Sequence, residues 1–152
     1  QAEDGIRDRD VTGVQRVLFR SVSEVREAGI EVWVRSEDAS LLPSYDALLD
    51  DDAVIAVGRL RLRTIHTPGH TPGSMCFALE GTPLLFTGDT LFPGGPGATK
   101  FEGGDFPTII RSIEERLFRP YHAETLIWPG HGAPSTLGTE SPSLQSWVDR
   151  GW

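Results

Sequence analysis

The sequence predicts an α/β layered fold, and three observations carry that expectation. Short apolar strands alternate along the chain with helical segments, the pattern of a sheet covered by helices. Three of the strands run directly into tight Gly or Pro turns, at LRTIHTPGH, LLFTGD and LIWPGH. A later segment repeats Ile109, Ile113 and Leu117 at four-residue spacing, which buries one stripe of a helix.

Taken in order, the pattern VSEVREAG puts Val22, Val25 and Ala28 on one helical face, and Gly29 is placed to cap the helix end. IEVWV follows as a short strand. Ser36 is expected to cap a brief helical turn ending at Leu42, because Pro43 disfavours helical backbone in the residue before it. The acidic run from Asp50 to Asp52 reads as a solvated turn ahead of the strand VIAV. LRLRTI alternates through Leu60 and Leu62 as a half-buried strand does, and leads into the rigid stretch HTPGHTPGS. SMCFALEG and TPLLFTGD are two further strands that turn near Glu80 and Gly81, so a hairpin is expected. A glycine-rich loop from Gly94 to Gly104 precedes a helix that Asp105 is placed to cap. ETLIWPGHG supplies a last strand and its loop, and no internal repeat is evident.

At 152 residues and 38% hydrophobic content, the chain can build one domain with a modest core. Its 14 basic and 22 acidic residues give a net charge of -8, which repels phosphate backbones and anionic lipid surfaces, so neither nucleic acid nor a membrane is expected as a partner. A single cysteine cannot form an internal disulfide, no apolar run is long enough to span a bilayer, and no signal-peptide pattern is present; a cytoplasmic location is the expectation.

The opening residues, QAEDGIRDRDVTGVQRVLFRS, read differently from the rest. The codons CAA GCA GAA GAC GGC ATA CGA GAT spell QAEDGIRD and match the start of an indexing adapter used in short-read library preparation. Past the index codons, GTG ACT GGA GTT CAG gives VTGVQ. With a single base lost, the remainder CGT GTG CTC TTC CGA TCT gives RVLFRS. Gln1 to Ser21 are therefore expected to be adapter-derived and outside the fold, with a partial domain running from Val22 to Trp152.

The chemistry concentrates where the three strand-ending turns present His70, Asp89 and His131. Turns at strand ends cluster along one edge of a sheet, where a rigid scaffold can aim side chains at one point. Imidazole nitrogen and carboxylate oxygen are both good zinc ligands, and the two oxygens of Asp89 can reach two metals at once.

TPGHTPGS, then FTGDTLF, then PGHG resembles the later motifs of the metallo-β-lactamase superfamily, most closely its glyoxalase II-like branch. The resemblance covers Val22 to Trp152 and implies a sandwich of two sheets between helical layers (αββα), of which this chain carries the C-terminal portion. It further implies two zinc ions, with His70 on the first, Asp89 bridging the pair and His131 on the second. Family members also carry an HxHxDH motif upstream of HTPGH. None is present here, and no histidine occurs between Val22 and Ile65.

The resemblance implies hydrolysis of an acyl bond by zinc-activated water, with a hydroxyacyl thioester as the leading substrate class. Glutathione specificity is not implied, because the chain ends at WVDRGW, soon after PGHG. With the upstream ligands missing, the fragment is expected to be inactive and to bind zinc weakly or not at all. Two other readings stay open: an iron-dependent persulfide dioxygenase, and a metal-free interaction module. Among the remaining residues, His66 and His122 are expected to be structural or solvent-facing, and Cys76 to be a buried, inert thiol. Asp105 is expected as a helix cap, and Phe86 and Trp128 as core.

Overall fold

A computed structural model describes residues 22–151, so the adapter reading of residues 1–21 lies outside the described residues. Residues 22–27 are helical (α1), and the turn after them closes as expected. The amides of Gly29 and Ile30 donate to the carbonyls of Arg26 and Val25, and Gly29 takes φ 75°, a left-handed helix stop that glycine adopts without steric cost. The strand read over IEVWV is shorter than expected. Only Trp33–Val34 (β1) pairs, in parallel with Ala47–Leu48 (β2). Between them Ser36–Leu41 forms a 3-10 helix whose cap position is Arg35, not Ser36; the Ser36 hydroxyl donates to Glu37 instead.

Six strands make the main sheet: Val54–Val57 (β3), Leu60–His66 (β4), Met75–Leu79 (β5), Leu84–Gly88 (β6), Leu126–Pro129 (β9) and Ser135–Thr136 (β10). Their order is β10-β9-β6-β5-β4-β3, antiparallel throughout except that β6 and β9 run parallel. The loop read as glycine-rich opens on the second strand of a small hairpin, Leu91–Phe92 (β7) against Gly95–Pro96 (β8).

One face of the sheet is closed by Phe106–Ser112 (α2), its continuation Ile113–Phe118, and Leu144–Arg150 (α4), with Leu137–Glu140 (α3) beside them. Ile65, Cys76, Leu85 and Ile127 point from the strands into this layer and meet Ile109, Ile113, Leu117 and Trp147. Each fully buried aliphatic side chain contributes roughly 1.5–3 kcal/mol. The continuation of α2 winds as a π-helix, closed by the Arg119 amide on the Glu114 carbonyl. Ile109 in the α-helical part and Ile113 and Leu117 in the wider turn all stay fully buried. Asp105 does occupy the cap position, yet its carboxylate takes the Thr108 hydroxyl and not a backbone amide.

Two expectations need correction. Trp128 is 48% exposed, because along β9 Ile127 faces the helices and its neighbour points to the opposite side. Phe86, level with Trp128 across the β6–β9 pair, shares that outer face and is only half-buried; the two rings meet edge to face. The Asp50–Asp52 turn also does more than face water. Asp51 accepts from the His66 amide and pairs with Arg116, and Asp52 pairs with Arg63, so the turn ties β4 to the helical layer. Among the described residues no helix is long and apolar enough to cross a membrane.

Candidate metal centre

Strands β4, β6 and β9 all point the same way, so their C-terminal ends lie along one edge of the sheet. The loop after β4 carries His70, the turn after β6 carries Asp89, and the turn after β9 carries His131. The parallel pairing of β6 with β9 continues past the strands, where the Gly130 amide donates to the Gly88 carbonyl at 2.8 Å. That bond sets the two turns side by side. Below them, buried Thr67 and Thr90 join hydroxyls at 3.0 Å, linking the start of the His70 loop to the residue after Asp89.

The Asp89 carboxylate lies between the two imidazoles. Its Oδ2 is 3.5 Å from Nε2 of His70, and its Oδ1 is 3.9 Å from Nε2 of His131. His70 is held through its other nitrogen: Nδ1–H donates to the Ala98 carbonyl at 2.8 Å, which turns Nε2 toward Asp89. Phe101 packs edge-on against His70, and Phe92 lies 4.6 Å from the His131 ring. His70 and Asp89 are each 19% exposed and His131 60%, so the open side of the centre lies at His131.

Gly130 leaves room for the carboxylate. A Cβ there would stand 2.6 Å from Asp89 Oδ1, so any other residue would displace the carboxylate. Two imidazole nitrogens facing the two oxygens of one carboxylate are a donor set of the type that suits divalent zinc or iron. The set is sparse. Among the described residues, no group of three or more His, Cys, Asp or Glu side chains is gathered around one point; there are two pairs that share Asp89.

The other singled-out residues lie apart from this centre. His66 Nε2 bonds to the Pro72 carbonyl, and His122 is exposed. Cys76 is fully buried against Thr67 and the Thr87 carbonyl, and burial pushes its thiol up to about 11. Sequence reading missed the supporting groups: Ala98 through its carbonyl, Phe92 and Phe101 through their rings, and Gly130 through its lack of one. Phe92 and Gly130 were within reach, since they belong to the FTGDTLF and PGHG motifs; Ala98 and Phe101 act by proximity that no local pattern reports.

Residues 11–131 match the family model described as the metallo-beta-lactamase superfamily, a match that begins within the stretch read as adapter-derived. The hydroxyacylglutathione hydrolase GloC of Haemophilus influenzae is 34% identical over 134 residues, 76% of this chain and 63% of that protein. The human mitochondrial persulfide dioxygenase ETHE1 is 38% identical over 86 residues, 57% of this chain and 34% of that protein. Among solved structures, the BLEG-1 B3 metallo-beta-lactamase superposes with a TM-score of 0.73 at 27% identity, covering 80% of this chain and 68% of that one. The chain thus spans about a third to two thirds of the length of the proteins it matches. With its mixed sheet, flanking helices and this match over most of its length, the chain belongs to the metallo-β-lactamase superfamily.

Proposed function

We propose that this chain carries part of the metal centre of a hydrolase acting on hydroxyacyl thioesters, with His70, Asp89 and His131 as metal ligands. The observation that carries the reading is the placement of Asp89, one oxygen toward each imidazole. When bound, zinc supplies Lewis acidity, which acidifies water and polarises an acyl carbonyl. The chain's own groups do the rest. His70 and His131 offer imidazole nitrogens, Asp89 offers an oxygen to each side, and the Ala98 carbonyl holds Nδ1 of His70. Phe101 packs against the His70 ring and Phe92 against the His131 ring. The substrate class rests on likeness to the hydroxyacylglutathione hydrolase.

Zinc sites draw on three or four protein ligands, and each imidazole here shares a single carboxylate with the other. The described residues alone are therefore expected to bind zinc weakly and to turn over no substrate. Residues 1–21 stand outside the functional unit in this reading. The test compares the chain with a version extended upstream in its gene, assaying thiol release from a hydroxyacyl thioester with zinc supplied. The extended protein should release thiol, and Asp89→Asn should abolish the release. Thiol release indifferent to both chelation and Asp89→Asn would overturn the proposal.

A second reading has one observation in its favour, the 38% identity to a persulfide dioxygenase. On that reading the same three ligands serve iron. Oxygen uptake with a persulfide substrate, dependent on iron and absent with zinc, would select it over thioester hydrolysis.

A further inference from the structure

The loop that presents His70 is held from outside by one carboxylate. Asp38, on the 3-10 helix Ser36–Leu41, accepts a hydrogen bond from the Gly73 amide at 2.8 Å and another from the Thr71 hydroxyl. These two donors flank His70 on its C-terminal side. Inside the loop, the Thr71 amide donates to the Ser74 hydroxyl at 2.8 Å, and the Gly69 amide donates to the Thr71 carbonyl at 3.0 Å. Movement at Thr71 is therefore passed to both neighbours of His70.

The approach is close enough to dictate sequence. A Cβ on Gly73 would lie 2.6 Å from the Asp38 carboxyl carbon, so the second Pro-Gly of HTPGHTPGS accommodates Asp38. On its other side the loop is pinned by α2: the Asp105 amide donates to the Gly69 carbonyl at 2.8 Å, and the Ser112 hydroxyl to the Pro68 carbonyl at 2.8 Å. The segment before His70 is thus fixed by the helical layer. The segment after it is fixed by Asp38, 32 positions upstream and outside all three metal-site turns.

We propose that Asp38 is a positioning residue for the metal centre, holding the Thr71–Gly73 backbone so that His70 keeps Nδ1 on the Ala98 carbonyl and Nε2 toward Asp89. This rests on the metal-ligand reading of His70 for its purpose, though not for its geometry. Asn at position 38 preserves the arrangement, since its amide oxygen can accept from Gly73 and its amide nitrogen can donate to Thr71. Alanine removes both anchors.

The experiment follows His70 by NMR in the full chain and its Asp38→Ala, Asp38→Asn, Thr71→Val and Ser74→Ala variants. One readout is the tautomer of the neutral imidazole; the other is paramagnetic broadening on titration with cobalt(II) alone. Wild type and Asp38→Asn should show a single Nδ1–H tautomer. Asp38→Ala should show a mixture, with cobalt affinity at His70 reduced roughly 10-fold or more, the scale typical of a lost outer-shell partner. A folded Asp38→Ala protein with the wild-type tautomer and wild-type cobalt affinity overturns the proposal. If Asp38→Ala does not fold, the pair Thr71→Val and Ser74→Ala decides: Thr71→Val removes the hydroxyl that bonds both Asp38 and Ser74, Ser74→Ala removes only the Ser74 side, and a His70 tautomer unchanged in Thr71→Val, or changed equally in both, overturns it. Tautomer mixing in the variants without cobalt broadening at His70 in wild type leaves the positioning role standing and refutes the metal reading instead.

Discussion

Replacing Gly130 with alanine separates the metal centre from the stability of the fold. The new Cβ would sit 2.6 Å from Asp89 Oδ1, whereas ordinary contact begins at 3.4 Å, so the carboxylate must withdraw by about 0.8 Å. Metal–ligand distances tolerate only about 0.2 Å. The atom that must move is the far end of a side chain, and the nearest backbone atom, the Gly88 carbonyl carbon, is 3.4 Å away. Relief therefore comes from rotating Asp89 off its preferred rotamer, at a cost of roughly 0.5–1.5 kcal/mol. Urea unfolding of Gly130→Ala should show a loss in that range. Cobalt broadening at both His70 and His131 should require about 10-fold more metal or more, because the two imidazoles share the displaced carboxylate. Wild-type cobalt affinity in a variant of near wild-type stability would show that Gly130 has no bearing on the metal.

Three further outcomes follow from the packing and from burial. Leu85→Ala should cost about 2–5 kcal/mol in urea unfolding, because Leu85 is fully enclosed beneath the helices. Trp128→Ala should cost clearly less, despite the larger side chain, because Trp128 stands 48% exposed on the opposite face; equal losses would contradict the assignment of the two faces. Burial lifts the Cys76 thiol to about 11, while an unfolded thiol ionises near about 8.5. Between these values the unfolded chain gives up a proton that the folded chain keeps, so this contribution to stability falls as pH rises, by about 1.4 kcal/mol per pH unit at most. Cys76→Ala lacks the effect. The stability advantage of wild type over that variant should shrink across the alkaline range, and a pH-independent difference would refute it.

The parts of the fold legible in the sequence were those written as local periodicity. Ile109, Ile113 and Leu117 announced a helix and its buried face, and all three are completely enclosed. The hairpin at Glu80 and Gly81 was marked by two apolar runs and a turn residue. Uniformly apolar stretches were opaque: LIWP has no alternation to show that Ile127 faces the core and Trp128 faces away. Glycine-rich sequence hid the β7–β8 hairpin, because backbone pairing there leaves no side-chain pattern. At the candidate centre, motif spacing singled out His70, Asp89 and His131, and the parallel pairing of β6 with β9 sets two of their turns side by side. Asp38 carried no such mark. Its partners lie 33 and 35 positions away, and contacts of that range are created by the fold.

The metal-ligand roles of His70, Asp89 and His131 all require that one cation-binding centre forms at Asp89. Anomalous diffraction at the zinc edge, from crystals of this chain soaked in zinc, measures that directly. The predicted result is zinc density about 2.0–2.2 Å from an Asp89 carboxylate oxygen and from Nε2 of His70 or His131. Zinc bound only at other surface residues, with the Asp89 carboxylate and both imidazoles free of it, would contradict the account.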